Sequence, residues 1–168
     1  MRIIDLTHSM SRRAPADDLT HVVIRSVDSV DRIPPDRLLP MATVVDLTSR
    51  EEPGSIMRSD VSGTGVSDIA GCILRTDWMD DYLAGIKLPT PILTVEAAVH
   101  LLEGGVRTIA ADFPIALDSA DLLLHNDCVL VSCLSNIRAL SEKIVRLIAL
   151  PLKLEDTYCA EARVMAME

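Results

Sequence analysis

Aromatic side chains are scarce: the 168 residues hold one Trp (Trp78), one Phe (Phe113) and two Tyr (Tyr82 and Tyr158). Few platforms are left on which a base or a sugar could stack, and a core has to be filled by Leu, Ile, Val, Ala and Met. Positive charge is also short, with 16 Lys and Arg against 25 Asp and Glu and a net charge of −9. Nucleic acid and anionic membrane both need a basic footprint, so neither is an expected partner. No apolar run has membrane-spanning length, and the opening MRIIDLTH reads as a strand rather than a leader, which points to the cytoplasm. The four cysteines, Cys72, Cys128, Cys133 and Cys159, form no C-x-x-C pair. The first three lie in apolar runs and read as buried reduced thiols, and no Cys/His cluster of the kind that holds zinc is visible.

What is present is a single domain's worth of chain, 1–168, with 49% apolar residues. Its centre is the stretch 106–134, VRTIAADFPIALDSADLLLHNDCVLVSCL, in which two apolar runs (106–111 and 128–134) flank a loop and a short helix at 119–125. Runs that are apolar on both faces fit strands covered on both sides. Asp118 stands where an N-cap would stand. Further strands are expected at 2–6, 21–27, 42–47, 70–75, 144–154 and 162–167, and a polar loop at 9–18. Helical segments are expected at 78–83, capped by Asp77, and at 136–142. The clearest helix is 94–102: Thr94 can cap it, Glu96 lies in its first turn, Gly104 ends it, and Val95, Ala98, Val99 and Leu102 form a stripe. The SGTGVS run at 62–67 has glycines but no following Lys-Ser/Thr, which argues against a phosphate loop. The pattern predicts an α/β fold with a mixed sheet and short helices.

The segments IIDLTHSMS (3–11), TVVDLTS (43–49), ILRTDWMDDYL (73–83), LTVEAAVHLLEGGVRTIAADFPIALD (93–118), VLVSCLSNIRAL (129–140), ALPLKLED (149–156) and ARVMAM (162–167) occur in an order that resembles the cyclase family. That family includes kynurenine formamidase and related amide, lactone and isatin hydrolases. The resemblance covers nearly all of the chain after residue 40. It implies a swivelling β/β/α fold, a homodimer or larger homo-oligomer, and a small carbonyl compound as ligand. The family's metal signature is H-x-G-T-H-x-D-x-P-x-H, whose ligands hold zinc or manganese to activate water and polarise a carbonyl. The corresponding region here is HVVIRSVDSVDRIPP. With Asp28 on the family's Asp, the two His positions hold Val22 and Ser26, Ile24 and Arg25 replace Gly-Thr, Val30 replaces Pro, and Arg32 replaces the last His. His21 falls one residue out of register, on the opposite strand face. The family's second pair, a His on a helix and a Glu on a strand, maps to Ala120 and Ser132; His125 lies five residues further on.

The expected metal set is therefore none, and no cofactor is expected. Three residues remain as catalytic candidates: Asp28, His21 and Cys133. Asp112, Ala120 and Ser132 are expected along a pocket wall, with Asp112 also suited to fixing a loop by accepting backbone N–H bonds. His8 and His100 read as structural or surface residues. Two functions stay open: a degenerate member of the family that binds a small molecule or assembles without metal hydrolase activity, and a metal-independent hydrolase, cyclase or isomerase acting on a small amide, lactone or other carbonyl compound.

Overall fold

The computed structural model describes residues 1–9, 21–50, 54–65 and 69–168. The expected loop at 9–18 lies outside the described residues apart from Ser9, as do residues 66 and 67 of the SGTGVS run. Among the described residues the strands are β1 (Ile3–Asp5), β2 (Val23–Arg25), β3 (Met41–Asp46), β4 (Ser55–Ile56), β5 (Gly71–Arg75), β6 (Ile92–Leu93), β7 (Thr108–Ala111), β8 (Val129–Ser132), β9 (Ile144–Pro151) and β10 (Cys159–Met167). The helices are α1 (Pro35–Leu38), α2 (Arg58–Val61), α3 (Trp78–Leu83), α4 (Val95–Glu103) and α5 (Leu117–His125), with 3-10 turns at Val30–Arg32 and Ile137–Ala139. No helix among them is long and apolar enough to cross a membrane.

The main sheet runs β1-β10-β2-β8-β7-β5-β3-β9, and β9 also pairs with β10. The sheet therefore closes on itself, with β1 attached outside the ring along the second half of β10. Strands β3, β5, β7 and β8 are mutually parallel, while β2, β9 and β10 run antiparallel to their neighbours. Strand alternation then sorts the core into two clusters. Ile24, Ala42, Ile73, Ala110, Val131, Leu147 and Val164 fill the barrel interior. Val45, Cys72, Leu74, Ile109, Ala111 and Leu130 face outward against α3, α4 and α5. Strands covered on both sides need no polar face; β7 and β8 are buried at every position, and apart from Thr108 and Ser132 their sequences are apolar. Strand β9 instead alternates between buried and exposed positions, so one of its faces meets solvent.

Several local expectations need correction. Helix α5 begins at Leu117, its N-cap position is Ala116, and Asp118 sits in the first turn without capping. The turn is anchored by Ser119, whose hydroxyl donates to the Leu93 carbonyl at 2.5 Å and draws the helix start onto β6. Asp77 does hold the N-cap position of α3, but with φ of 62° and no capping bond. Its carboxylate is engaged by Arg75, and the Trp78 N–H turns to the Thr76 hydroxyl at 3.3 Å. Helix α4 is capped by Thr94, which accepts from the Ala97 N–H. Its buried side is Ala97, Ala98 and Leu101, whereas Val95 is exposed, so the apolar stripe is rotated by about one residue, roughly 100°. The segment 136–142 makes only one 3-10 turn. The N–H groups of Ser141 and Glu142 donate to the Glu168 carboxylate instead of turning back into a helix.

Candidate functional site

The carboxyl ends of the four parallel strands converge at one rim, the place where open α/β sheets present ligands. Asp46 ends β3, Arg75 ends β5, Asp112 follows β7, and Cys133 follows β8. Register sets the first pairing: Asp46 lies beside Arg75. The Arg75 guanidinium donates to Asp46 at 3.1 Å and grips Asp77 through Nε (2.8 Å) and Nη2 (3.0 Å). A planar fork on one carboxylate is the strong form of this contact. The carboxylate of Asp46 also takes the N–H and hydroxyl of Thr48 and is held below the usual range: burial pushes up, but the Thr48 and Arg75 contacts prevail.

Asp112 is the buried acid of this rim, 2% exposed. It accepts the Thr76 N–H (2.8 Å), the Thr76 hydroxyl (2.6 Å) and the Asp77 N–H (2.6 Å). Burial raises its carboxyl to about 7, against the pull of those donors. Positive φ at the non-glycine residues Asp77 and Asn136 has identifiable anchors. Asp112 holds the Asp77 N–H, and Asp80 holds the Asn136 N–H at 3.0 Å. Cys133 also has positive φ, 66°, directly beyond β8, so it is not a strand residue as its sequence suggests.

The other sequence candidates are scattered around the barrel. Asp28 is exposed, with its N–H on the Ser26 hydroxyl at 3.3 Å. Cys133 is buried, and burial pushes its thiol up to about 12, despite the nearby Arg25. His21 meets Glu161 at 2.6 Å through Nδ1. No hydrogen bond or ion pair joins Asp28, His21 and Cys133. Ala120 and Ser132 are buried, and the Ser132 hydroxyl has no hydrogen-bond partner.

Strand parity sorts these positions between the two faces of the sheet. Val131 faces the barrel interior, so Ser132 faces outward. Val22 is in the interior cluster, so it does not share that face. Ala160 also points inward, placing Glu161 and its partner His21 outside, the side of Ser132. His21 is thus on the same sheet face as Ser132 and on the opposite face from Val22, the position where the resemblance expects a histidine.

Zinc or manganese, which the resemblance implies, needs several converging donors. Val22 and Ala120 offer none, and Ser132 offers only a neutral hydroxyl. Among the described residues no group of three or more His, Cys, Asp or Glu side chains could hold a metal ion. These residues do not fit the group. His125, the other leftover histidine, is exposed at the end of α5 with Nδ1 against the Asp121 carbonyl at 2.7 Å.

Comparison with solved structures identifies the fold. Isatin hydrolase A from Labrenzia aggregata, bound to benzyl benzoate, superposes with a TM-score of 0.83 at 18% identity, covering 98% of this chain and 93% of that one. Isatin hydrolase A from Ralstonia solanacearum gives 0.81 at 19% identity, covering 99% and 92%. A structure described as a potential metal-dependent hydrolase with cyclase activity gives 0.80 at 17% identity, covering 98% and 96%. The class is therefore a mixed α/β fold shared with cyclase-like hydrolases. No protein-family model matches the chain. No curated protein matches it in sequence either.

The sequence reading did not single out Arg75, Asp46 or Glu161. Asp46 and Arg75 each end an apolar run, which is the one local signal available. Their pairing depends on the β3–β5 register, and Glu161 acquires meaning only through its contact with His21.

Proposed function

We propose that this chain is a cyclase/arylformamidase-like protein that has lost the family's divalent-metal site and acts as a small-molecule-binding or oligomeric interaction protein without metal hydrolase activity. The observation that carries this reading is the donor set: the fold of a metal hydrolase has a valine, a serine and an alanine where metal-binding or proton-transferring side chains are needed. Assembly is supported by Ile3 of β1 and Leu150 of β9, large apolar residues that are exposed near the Arg163–Asp5 ion pair. Elemental analysis of protein purified without chelator, with isatin and N-formylkynurenine hydrolysis assays, tests the reading. Substoichiometric zinc and manganese and no turnover are expected; a stoichiometric ion supporting turnover would sink it.

A second reading, a metal-independent hydrolase, cyclase or isomerase, is favoured by the His21–Glu161 contact. A carboxylate on Nδ1 leaves Nε2 as a potential base. Glu161 borders a cavity of about 360 Å³ with Val22, Leu150, Leu152 and Ala162 in its walls. Turnover of a small lactone or amide that resists EDTA and disappears in His21→Gln would select this reading.

A further inference from the structure

A second, separate cavity opens at the rim, about 380 Å³ in volume, with Val44, Asp46, Thr64, Arg75, Glu142 and Lys143 among its lining residues. That volume suits a small metabolite, since ligand pockets run from about 300 to 1,000 Å³. Its walls are tied to β3 from two sides. The Lys143 carbonyl accepts the Val44 N–H at 2.8 Å, and the Thr43 hydroxyl donates to the Gly65 carbonyl at 3.3 Å. The loop before Lys143 is fixed again by Glu168, which accepts the Ser141 N–H (2.6 Å) and the Glu142 N–H (3.0 Å). A wall fixed at both ends loses little freedom when it binds a ligand.

The charges in this cavity are unequally satisfied. Arg75 is matched by Asp46 and Asp77. Among the described residues Lys143 has neither an ion pair nor a side-chain hydrogen bond, and its amine lies against Gly65, 3.6 Å from where a Cβ would sit. The Glu142 carboxylate likewise has no ion pair among the described residues. The cavity thus offers one uncommitted cation and one uncommitted anion within a frame of otherwise spent groups. Asp46 adds residual acceptor capacity on the oxygen facing Arg75, which carries a single donor.

We propose that this cavity binds a small carboxylate bearing a hydroxyl or ammonium donor, its carboxylate on Lys143 and its donor on Glu142 or Asp46. The inference rests on the small-molecule-binding reading above and names its ligand class and residues. It concerns the β3–β9 side of the rim rather than the Ser132 and Ala120 positions, so it does not depend on metal.

Saturation-transfer NMR on the full chain in EDTA, with L-lactate and L-alanine as probes and lactamide as the uncharged control, tests it. Transfer to at least one acid and none to lactamide is expected. Loss of the charge–charge contact should weaken binding about ten-fold or more in Lys143→Gln, while Lys143→Arg retains it. Lys143 is exposed, and an unchanged melting curve shows that the variant folds. The proposal is overturned if neither acid receives transfer, if lactamide binds equally, or if Lys143→Gln binds like the parent. Binding that appears only when Zn²⁺ replaces EDTA also overturns it, and counts separately against the metal-free reading. Turnover of isatin with a bound metal, alongside Lys143-dependent lactate or alanine binding in EDTA, would overturn that reading alone.

Discussion

The Asp77 N–H donates to the buried carboxylate of Asp112 at 2.6 Å, while the Asp77 carboxylate itself holds Arg75. One residue in a left-handed conformation thereby joins a buried acid to a half-exposed ion pair. The turn after β5 is built around that joint. Asp112→Ala would strand the Thr76 and Asp77 N–H groups in the protein and should destabilise it by about 2–4 kcal/mol. Asp112→Asn keeps an acceptor for both N–H groups and lets its amide donate to the Thr76 hydroxyl, so a loss under about 1.5 kcal/mol is expected. Urea unfolding of the two variants measures the difference.

The same residue predicts a pH signature. Burial raises the Asp112 carboxyl to about 7 from an ordinary 3.8. Between those values the folded chain keeps a proton that the unfolded chain releases. The stability contribution is complete below the unfolded value and is lost as pH rises toward 7. Asp112→Asn removes this term. The stability of the parent relative to Asp112→Asn should therefore decline from pH 4 to pH 7.5; a flat difference would refute the assignment. Comparing the two proteins cancels the opposite slopes from Asp5 and Asp46, whose carboxyls are held below their ordinary values.

Strands β3, β5, β7 and β8 were legible because burial on both faces leaves an unbroken apolar run, and the Thr94 cap because capping is local. The two-residue strands β4 and β6 have no period to detect, and the four-residue helices α1 and α2 span little more than one turn. Asp118 and Asp77 show the limit of local chemistry: each suits a cap, but tertiary contacts of Ser119 and Arg75 decide what happens. The rim was half legible. Asp112 stands out as an acid at the end of an apolar strand, whereas Lys143 has no sequence mark and enters the site because β9 starts beside β3.

Replacing Arg75 tests the ion-pair joint directly. Arg75→Met fills similar space but leaves Asp46 and Asp77 without their shared cation, and a loss of about 1–3 kcal/mol is expected. Arg75→Lys retains charge but cannot span Asp46 while forking Asp77, so it should recover only part of that loss. Midpoints of chemical denaturation in low salt would show the order parent, Lys, Met; equal midpoints would mean that the fork contributes nothing.

Thiol reactivity should separate the four cysteines by burial. Cys72 and Cys133 are pushed up to about 12 and Cys128 to about 11, all chiefly by burial, while Cys159 is exposed. The thiolate is the reacting form, so burial suppresses both access and ionisation. One thiol should react quickly with a disulfide reagent at pH 8, and the other three only on unfolding. Cys159→Ser should abolish the fast phase. A fast phase that survives this substitution and vanishes in Cys133→Ser would instead show that Cys133 is reached from solvent, which the packing beyond β8 does not permit.

Gly71 is where β3 and β5 approach too closely for a side chain. A Cβ there would meet the Met41 carbonyl oxygen at 2.8 Å and the Ala42 Cβ at 2.9 Å. Neither is the end of a flexible chain, so relief requires the strands to part. That separation would disturb the pairing that aligns Asp46 with Arg75 at the other end of the same two strands. Gly71→Ala should cost about 1–3 kcal/mol. In a domain of this size that cost lowers the melting temperature by several degrees, at roughly 2–4 °C per kcal/mol. It should also weaken acid binding at Lys143, although Gly71 does not line the cavity. Gly85→Ala, a control whose Cβ meets nothing but whose φ of 82° is strained, should destabilise without changing that binding. Equal effects of the two substitutions on binding would mean that the β3–β5 register does not set the rim.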